Sequence, residues 1–313
     1  VTEMTVIREE FQNDMGGALV LTRRIPEGPR GLHALEEEPL EKRLEFVKGV
    51  GPQMRGRLNA SGYQTLLDLA RHPRFGKGAT RVWAALAKRD ARALLLAGAR
   101  DIELMPLFRR EETVVVDIET TGLAQSLPVF LIGVAYGARD CWEVRQYLAR
   151  GFEEEAAILR QVALEMQGRK ACVSYNGKAF DEPFVKARFR FHGLSPLVFT
   201  LHVDLLHTCR RRFGAMYPNC RLTTMAEGLL GLVRHHDVSG EEVPDLYYRF
   251  VRDGDEEAIA PVIEHNAADL KALAWLLDSF TVDVSGGSEE NGAAEGKAAA
   301  AWDQPEGGER GAG

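Results

Sequence analysis

Apolar residues change their spacing twice along this chain, and each change marks a boundary. Between residues 41 and 105 they recur at helical intervals. Leu44 and Val47 make one stripe, Met54 and Leu58 a second, and TLLDLARHP (65–73) a third. Gly49-Val50-Gly51-Pro52 separates the first two, Ser61-Gly62 ends the second, and Thr65 stands where the third helix needs a cap. A small all-α domain is predicted there. From Thr113 the pattern becomes that of strands: VVVDIE (114–119), VFLIGVAYG (129–137) and CWEVRQYL (141–148), joined by turns short enough for an antiparallel meander. FEEEAAILRQVALEMQ (152–167) follows as an amphipathic helix. KACVSY (170–175) is a fourth strand, a helix is predicted near 181–192, LHVDLL (201–206) is a fifth strand, and the rest through Phe280 is mainly helical. The expectation over 111–281 is an α/β domain with a mixed five-stranded sheet flanked by helices. Residues 1–40 read as an irregular lead-in, although GALVLTRRI (17–25) has strand character. Residues 282–313, rich in Gly, Ala and Glu, read as a disordered acidic tail.

Charge adds something that the total conceals. The net charge is −7, yet residues 41–92 carry twelve Lys/Arg against four Asp/Glu, while the tail from 281 carries two against seven. A basic module and an acidic tail share one chain, and affinity for nucleic acid follows local fields more than totals. No apolar run is long enough to span a bilayer. Cys141, Cys172, Cys209 and Cys220 form no CxxC pair and suit reduced thiols, so a cytoplasmic location is expected. His202, His207, Cys209 and Cys220 fit no common zinc spacing and are expected to be structural.

Four acids occupy three short contexts. Asp117 and Glu119 lie two apart on a strand, so both side chains leave the same face. Carboxylates so placed repel unless a cation neutralises them or a proton is shared; a solvated edge strand would read the same. Thr120-Thr121-Gly122 ends the strand, and Gly122 lets a substrate backbone come close. Asp181, in NGKAFDEP, leaves a strand and enters a helix, and an N-cap would also explain it. His265 and Asp269 are one helical turn apart. Asn176 fits either a substrate contact or a turn, and Asp204 either a fifth acid or a helix cap. Arg188, Arg190 and Arg210–Arg212 fit either a phosphate track or a solvated face, and His235-His236 falls in a loop.

In combination, the strand DxE, the strand-to-helix NGxxFD and the late-helix HxxxD resemble the exonuclease-type DEDD branch of the RNase-H-like superfamily. VVVDIETTGL, YNGKAFDEPFVKARF, HVDLLHTCRR and HNAADLKALAWLL resemble more closely the YprB-type RNase-H-like proteins of bacteria. The resemblance covers about residues 113–280. It implies that Asp117, Glu119, Asp181 and Asp269 bind two Mg²⁺ or Mn²⁺ ions about 3.5–4 Å apart. Asp117 would bridge them, and His265 would orient or deprotonate the attacking water. His265 stands four residues before Asp269, the register of the tyrosine subclass rather than the five of the histidine subclass.

FVKGVGPQMRGRLNASGYQTLLDLA (46–70) resembles a helix-hairpin-helix element. Gly49 and Gly51 permit a tight hairpin around Val50, Pro52 suits a first helical turn, and the N–H groups behind it can hold a phosphate. Lys48, Arg55 and Arg57 add charge beside it. With Thr120, Gly122 and Asn176, these are the candidate nucleic-acid contacts, for DNA in preference to RNA. The resemblance implies a metal-dependent 3′→5′ exonuclease. A structure-selective endonuclease on the same fold and a non-catalytic nucleic-acid-binding adaptor are the alternatives, and the complete set of four acids argues against the last.

Overall fold

A computed structural model of the chain describes residues 5–34, 38–234 and 237–281. The predicted acidic tail and His235-His236 lie outside the described residues.

The centre is one mixed sheet of seven strands: β1 (Ile7–Asn13), β2 (Gly16–Pro26), β3 (Thr113–Thr120), β4 (Val129–Gly137), β5 (Cys141–Leu148), β6 (Ala171–Ser174) and β7 (Leu201–Asp204). Their order is β1-β2-β5-β4-β3-β6-β7. The meander β3–β4–β5 is antiparallel, and β6 and β7 add in parallel beside β3. The helices are α1 (Pro52–Ala60), α2 (Leu66–Leu69), α3 (Gly76–Ala87), α4 (Ala91–Leu96), α5 (Glu155–Glu165), α6 (Asp181–Phe191), α7 (Leu205–Phe213), α8 (Leu222–Leu230), α9 (Val243–Asp253) and α10 (Glu256–Phe280). The five predicted strands and the helices between them are all present.

Two expectations need correction. The lead-in is not irregular: β1 and β2 form a hairpin that pairs antiparallel with β5 and widens the sheet from five strands to seven. Its signal was faint because β1 is a polar edge strand, IREEFQN, exposed along most of its length. In β2 the buried row Leu19, Leu21, Arg23, Ile25 contains an arginine, which breaks the apolar alternation. The helical module is not a separate domain either. Residues up to Thr281 form one compact unit. Leu44, Val50, Leu66, Leu69 and Leu94 belong to the same buried apolar cluster as Val115 and Ala135 of the sheet and Leu273 of α10. The module's leucines are thus buried in part against the sheet and α10 rather than on one another alone. The first limb of the expected hairpin is only a 3₁₀ turn, Leu44–Phe46.

One buried acid pins the far end of α10. Asp278, 4% exposed, accepts from Trp142 Nε1 of β5 at 3.0 Å and from the Gly28 N–H at 2.9 Å, and pairs with Arg110 at 3.2 Å. This fixes the helix that crosses the sheet behind β3.

A shared core predicts shared unfolding. Leu66→Ala should cost about 2–5 kcal/mol and leave a single thermal transition, followed by far-ultraviolet circular dichroism. Two separated transitions would show the helical module to be an independent folding unit.

Candidate active site

On β3 the side chains of Val114, Val116 and Ile118 alternate with those of Val115, Asp117 and Glu119. The strand thus turns both acids to one face, and α10 lies over that face. A register irregularity between Glu119 and Thr120 ends the regular pairing with β4 at this point. Asn266 of α10, fully buried, donates Nδ2 to Asp117 Oδ2 at 2.8 Å. Asp181 is the first residue of α6 rather than its N-cap, which is Phe180. Its own N–H and that of Ile118, the residue between the two β3 acids, favour the charged form of its carboxyl. Asp117, Glu119, Asp181 and Asp269 are all half-buried.

Their electrostatics reflect that crowding. Burial, then the charges of Asp269, Glu119 and Asp181, hold the Asp117 carboxyl well above its ordinary range, while the Asn266 bond pulls it down. Burial with Asp269 and Asp181 raises Glu119 to about 8. Burial raises Asp181 to about 7, opposed by its backbone hydrogen bonds. Like charge in a poorly solvated hollow is the common cause.

Asp269 faces a different set of partners. Arg234 pairs with it and, at 3.2 Å, with Asp237. His265 lies between the same two acids, with Nδ1 2.6 Å from Asp237 Oδ1 and Nε2 3.4 Å from Asp269 Oδ2. The i,i+4 spacing therefore does bring His265 beside Asp269. Asp237 fixes the ring in orientation, as a partner on the second nitrogen does.

The loops around the acids are tied down. Asn176 takes a left-handed backbone (φ 62), and its N–H donates to Asp204 Oδ1 at 2.8 Å. It forms the turn, with its side chain exposed. Asp204, buried, accepts from Asn176, from the Lys178 N–H at 3.2 Å and from the Leu206 N–H at 3.2 Å, so it organises this loop and caps α7. Lys178 Nζ reaches Asp101 of the helical module at 2.6 Å. Ser174, His202 and Glu182 form a hydrogen-bonded chain, 2.8 Å at each link, that joins β6 and β7 to the first turn of α6. Thr120 Oγ1 bonds the Gly122 carbonyl at 2.7 Å, whereas buried Thr121 Oγ1 has no hydrogen-bond partner. Gly122 has φ 152, a conformation that disfavours any side chain.

The upstream candidates divide. Lys48, Gly49, Gly51 and Arg57 are exposed, Gly49 has φ 91, and the N-terminus of α1 carries no side-chain cap. Val50 does not join them, because its side chain is buried and its N–H is bonded to the Val47 carbonyl at 2.9 Å. Arg55 is occupied by Glu45 at 2.8 Å and by Glu38. Arg188 is not part of a phosphate track: it is 5% exposed and bonds Glu155 through Nε at 2.7 Å. His202, His207, Cys209 and Cys220 form no metal-ligand group among the described residues. Sequence reasoning missed Asn266, Arg234 and Asp237. Asn266 was readable, being one turn before Leu270 on the face of α10 that meets β3; Arg234 and Asp237 sit in a loop with no periodic signal.

Four carboxylates offer hard oxygen donors of the kind that Mg²⁺ and Mn²⁺ prefer. Among the described residues no three ligating side chains already converge as a closed group, and Asp269 is drawn to Arg234 and His265 instead. The electrostatic crowding of the acids fits a site completed by a cation. A pH dependence follows from the raised acids. They keep their protons to higher pH folded than unfolded, so stability is lost as pH rises from the ordinary carboxyl range of about 4. The loss is complete once pH exceeds the folded values, near 7 for Asp181 and 8 for Glu119. With a chelator present, the melting temperature should fall by a few degrees between pH 5 and 8, and Asp117→Asn should flatten the fall. A melting temperature that rises over that interval would contradict the crowding described here.

Comparison with known proteins agrees with this architecture. A family profile of the RNase H superfamily (RNase_H_2) matches residues 114–281. The uncharacterized protein YprB of Bacillus subtilis (strain 168) is 34% identical over 164 residues, 51% of this chain and 40% of the relative. The chain thus spans less than half the length of that protein. The uncharacterized protein MJ0365 of Methanocaldococcus jannaschii is 31% identical over 176 residues, 54% of this chain and 94% of the relative. Among solved structures, the family B DNA polymerase from the hyperthermophilic archaeon Pyrobaculum calidifontis superposes with a TM-score of 0.42 at 16% identity, covering 52% of this chain and 24% of that one. The match over residues 114–281, more than half of the chain, shows that this protein belongs to the RNase H superfamily and is of the YprB type that its motifs resemble.

Proposed function

We propose that this chain is a divalent-metal-dependent nuclease that hydrolyses phosphodiester bonds, acting on DNA as a 3′→5′ exonuclease. The observation that carries the reading is the electrostatic crowding of Asp117, Glu119, Asp181 and Asp269, in which Asp269 raises the proton affinity of the other three, in a member of the RNase H superfamily.

In this reading the four acids hold two Mg²⁺ or Mn²⁺ ions, which when bound supply Lewis acidity and charge neutralisation at the scissile phosphate. The chain's own residues do the rest. Asp117, held by Asn266, and Glu119 present one side of the site from β3. Asp181 presents the other from the start of α6, with its orientation set by the Ile118 N–H. His265, steadied by Asp237, is placed to accept or steer a proton from the attacking water at Nε2. Arg234 brings a guanidinium to the edge of the acids, where a substrate phosphate would meet it. Gly122 keeps its turn free of a side chain for a close backbone approach.

Exposed Lys48 and Arg57, the uncapped start of α1, and exposed Arg71, Arg74, Lys77 and Arg81 form the surface that would track a nucleic-acid backbone. Contacts of this kind are sequence-independent and salt-sensitive.

The test of catalysis is a Mn²⁺-supported assay on 5′-labelled single-stranded DNA, duplex DNA and RNA, with a circular single strand alongside. The expected result is a ladder shortening from the 3′ end with the circle intact, and a loss of more than about a hundredfold in Asp117→Asn, as when one transition-state-stabilising group is removed. Cleavage of the circle would replace the exonuclease with an endonuclease. Full activity in folded Asp117→Asn would remove the metal site, and binding without any cleavage would leave an adaptor.

The binding surface has its own check. Replacing Lys48 and Arg57 together by Ala should weaken duplex binding equally across sequences and make the slope of log affinity against log salt shallower by about 1–2. An unchanged slope would assign the module to packing alone.

A further inference from the structure

Asp117, Gly133 and Gln146 stand side by side across β3, β4 and β5. Gly133 leaves the middle of this row open. A Cβ there would lie 2.1 Å from Asn266 Oδ1 and 2.7 Å from Leu270 Cδ1. Asn266 of α10 fills the opening and links the two outer positions: Nδ2 donates to Asp117, and Oδ1 accepts from Gln146 Nε2 at 2.9 Å. Gln146 Oε1 accepts in turn from Arg23 of β2 at 3.1 Å. Arg23 closes the series on Glu264 with two bonds of 2.9 Å. Gln146 and Asn266 are fully buried and Arg23 is 6% exposed.

This series of bonds has a direction. A guanidinium only donates and a peptide carbonyl only accepts. Arg23 therefore claims the oxygen of Gln146, and the Ile263 carbonyl, 2.8 Å away, claims its nitrogen. With Nε2 aimed at α10, Asn266 must offer Gln146 its oxygen and Asp117 its nitrogen. A reversed Asn266 would set an amide oxygen against the Asp117 carboxylate, and burial removes any water that could relieve the clash.

We propose that Arg23 and Gln146 are positioning residues for Asp117. They set the sense of the Asn266 amide, which holds the Asp117 carboxylate in the orientation that receives a divalent cation. The inference rests on the metal site proposed above and extends it beyond the superfamily segment: Arg23 lies outside residues 114–281, so the N-terminal hairpin is a working part of the site.

The experiment is Mn²⁺ titration of the full chain, followed by the electron paramagnetic resonance signal of free Mn²⁺, with melting temperature recorded for each variant. Gln146→Glu is nearly isosteric. It can still accept from Arg23, but it cannot donate to Asn266, which would then turn its oxygen toward Asp117. It should weaken Mn²⁺ binding about ten- to a hundredfold, the range for groups that orient a ligand. Gln146→Met and Arg23→Met, which keep most of the volume, should weaken it about tenfold; they decide the matter if Gln146→Glu does not fold. Arg8→Met is the control. Arg8 joins the same hairpin to the same helix through Glu256, at 3.0 and 2.9 Å, without touching the series, and its loss should leave Mn²⁺ affinity unchanged. Wild-type affinity in the folded Gln146 and Arg23 variants would overturn the proposal, as would an equal loss in Arg8→Met, which would mean that docking of the hairpin alone matters. A wild-type chain that binds no Mn²⁺, or an Asp117→Asn chain that binds as well as wild type, would instead strike the metal-site reading and this inference with it.

Discussion

Repulsion among four carboxylates in one poorly hydrated hollow is the constraint around which the rest of this molecule is arranged. Asp117, Glu119 and Asp181 are each pushed toward the neutral form by burial and by neighbouring carboxylates, Asp269 among them in every case. Left to itself, such a cluster would splay apart or drive its strand to the surface. It does neither, because three of the four acids are held by their surroundings. Asp117 has an amide on α10, Asp181 has two backbone N–H groups, and Asp269 has a guanidinium and an imidazole. The supporting shell is correspondingly dense in polar groups that are buried yet bonded, which is how low-dielectric surroundings are made tolerable.

The central fold was legible because its physics is local. A β-branched run gave β3, an apolar run gave β4, alternation of buried and half-buried positions marked β5, and FEEEAAILRQVALEMQ gave the helix that follows them. Of the β1–β2 hairpin only the strand character of 17–25 was legible; β1 and the hairpin's place in the sheet were not, since that place depends on pairing with β5, a partner more than a hundred residues away. Propensity has nothing to say about such contacts. The same reasoning separates the site's parts. Asp117 and Glu119 announced themselves through period-2 spacing on a strand. Asn266 stood in plain view between His265 and Asp269, but its meaning depends on the missing side chain at Gly133, across the sheet. Arg55 and Arg188 looked like phosphate ligands because composition reports charge without reporting partners; Glu45 and Glu155 had already taken them.

The helical module illustrates why a basic stretch need not be a free-standing binding domain. Lys48, Arg57, Arg71, Arg74, Lys77 and Arg81 face outward, while Leu44, Leu66, Leu69 and Leu94 are fully buried in a core that the sheet completes. Its position relative to the acids is therefore fixed rather than tethered. In the proposed reading, such a surface would hold a nucleic-acid backbone at a constant distance from the acids and so restrict which bond can reach them.

That coupling runs through one ion pair in particular. Asp101, at the end of the helical module, is buried and bonds both Lys178 Nζ and the Asp204 N–H. Asp204 in turn holds Asn176 in its left-handed turn, and this turn delivers Asp181 to β3. The module thus reaches the third acid through four residues, as the N-terminal hairpin reaches the first through Gln146 and Asn266. Two segments outside the superfamily core are thus each linked, through intermediate residues, to a different carboxylate. The distance between Asp117 and Asp181 then depends on contacts that the core does not itself contain. A core of residues 114–281 alone would retain the acids but lose both supports, and a site of like charges without supports is the arrangement least able to keep its geometry.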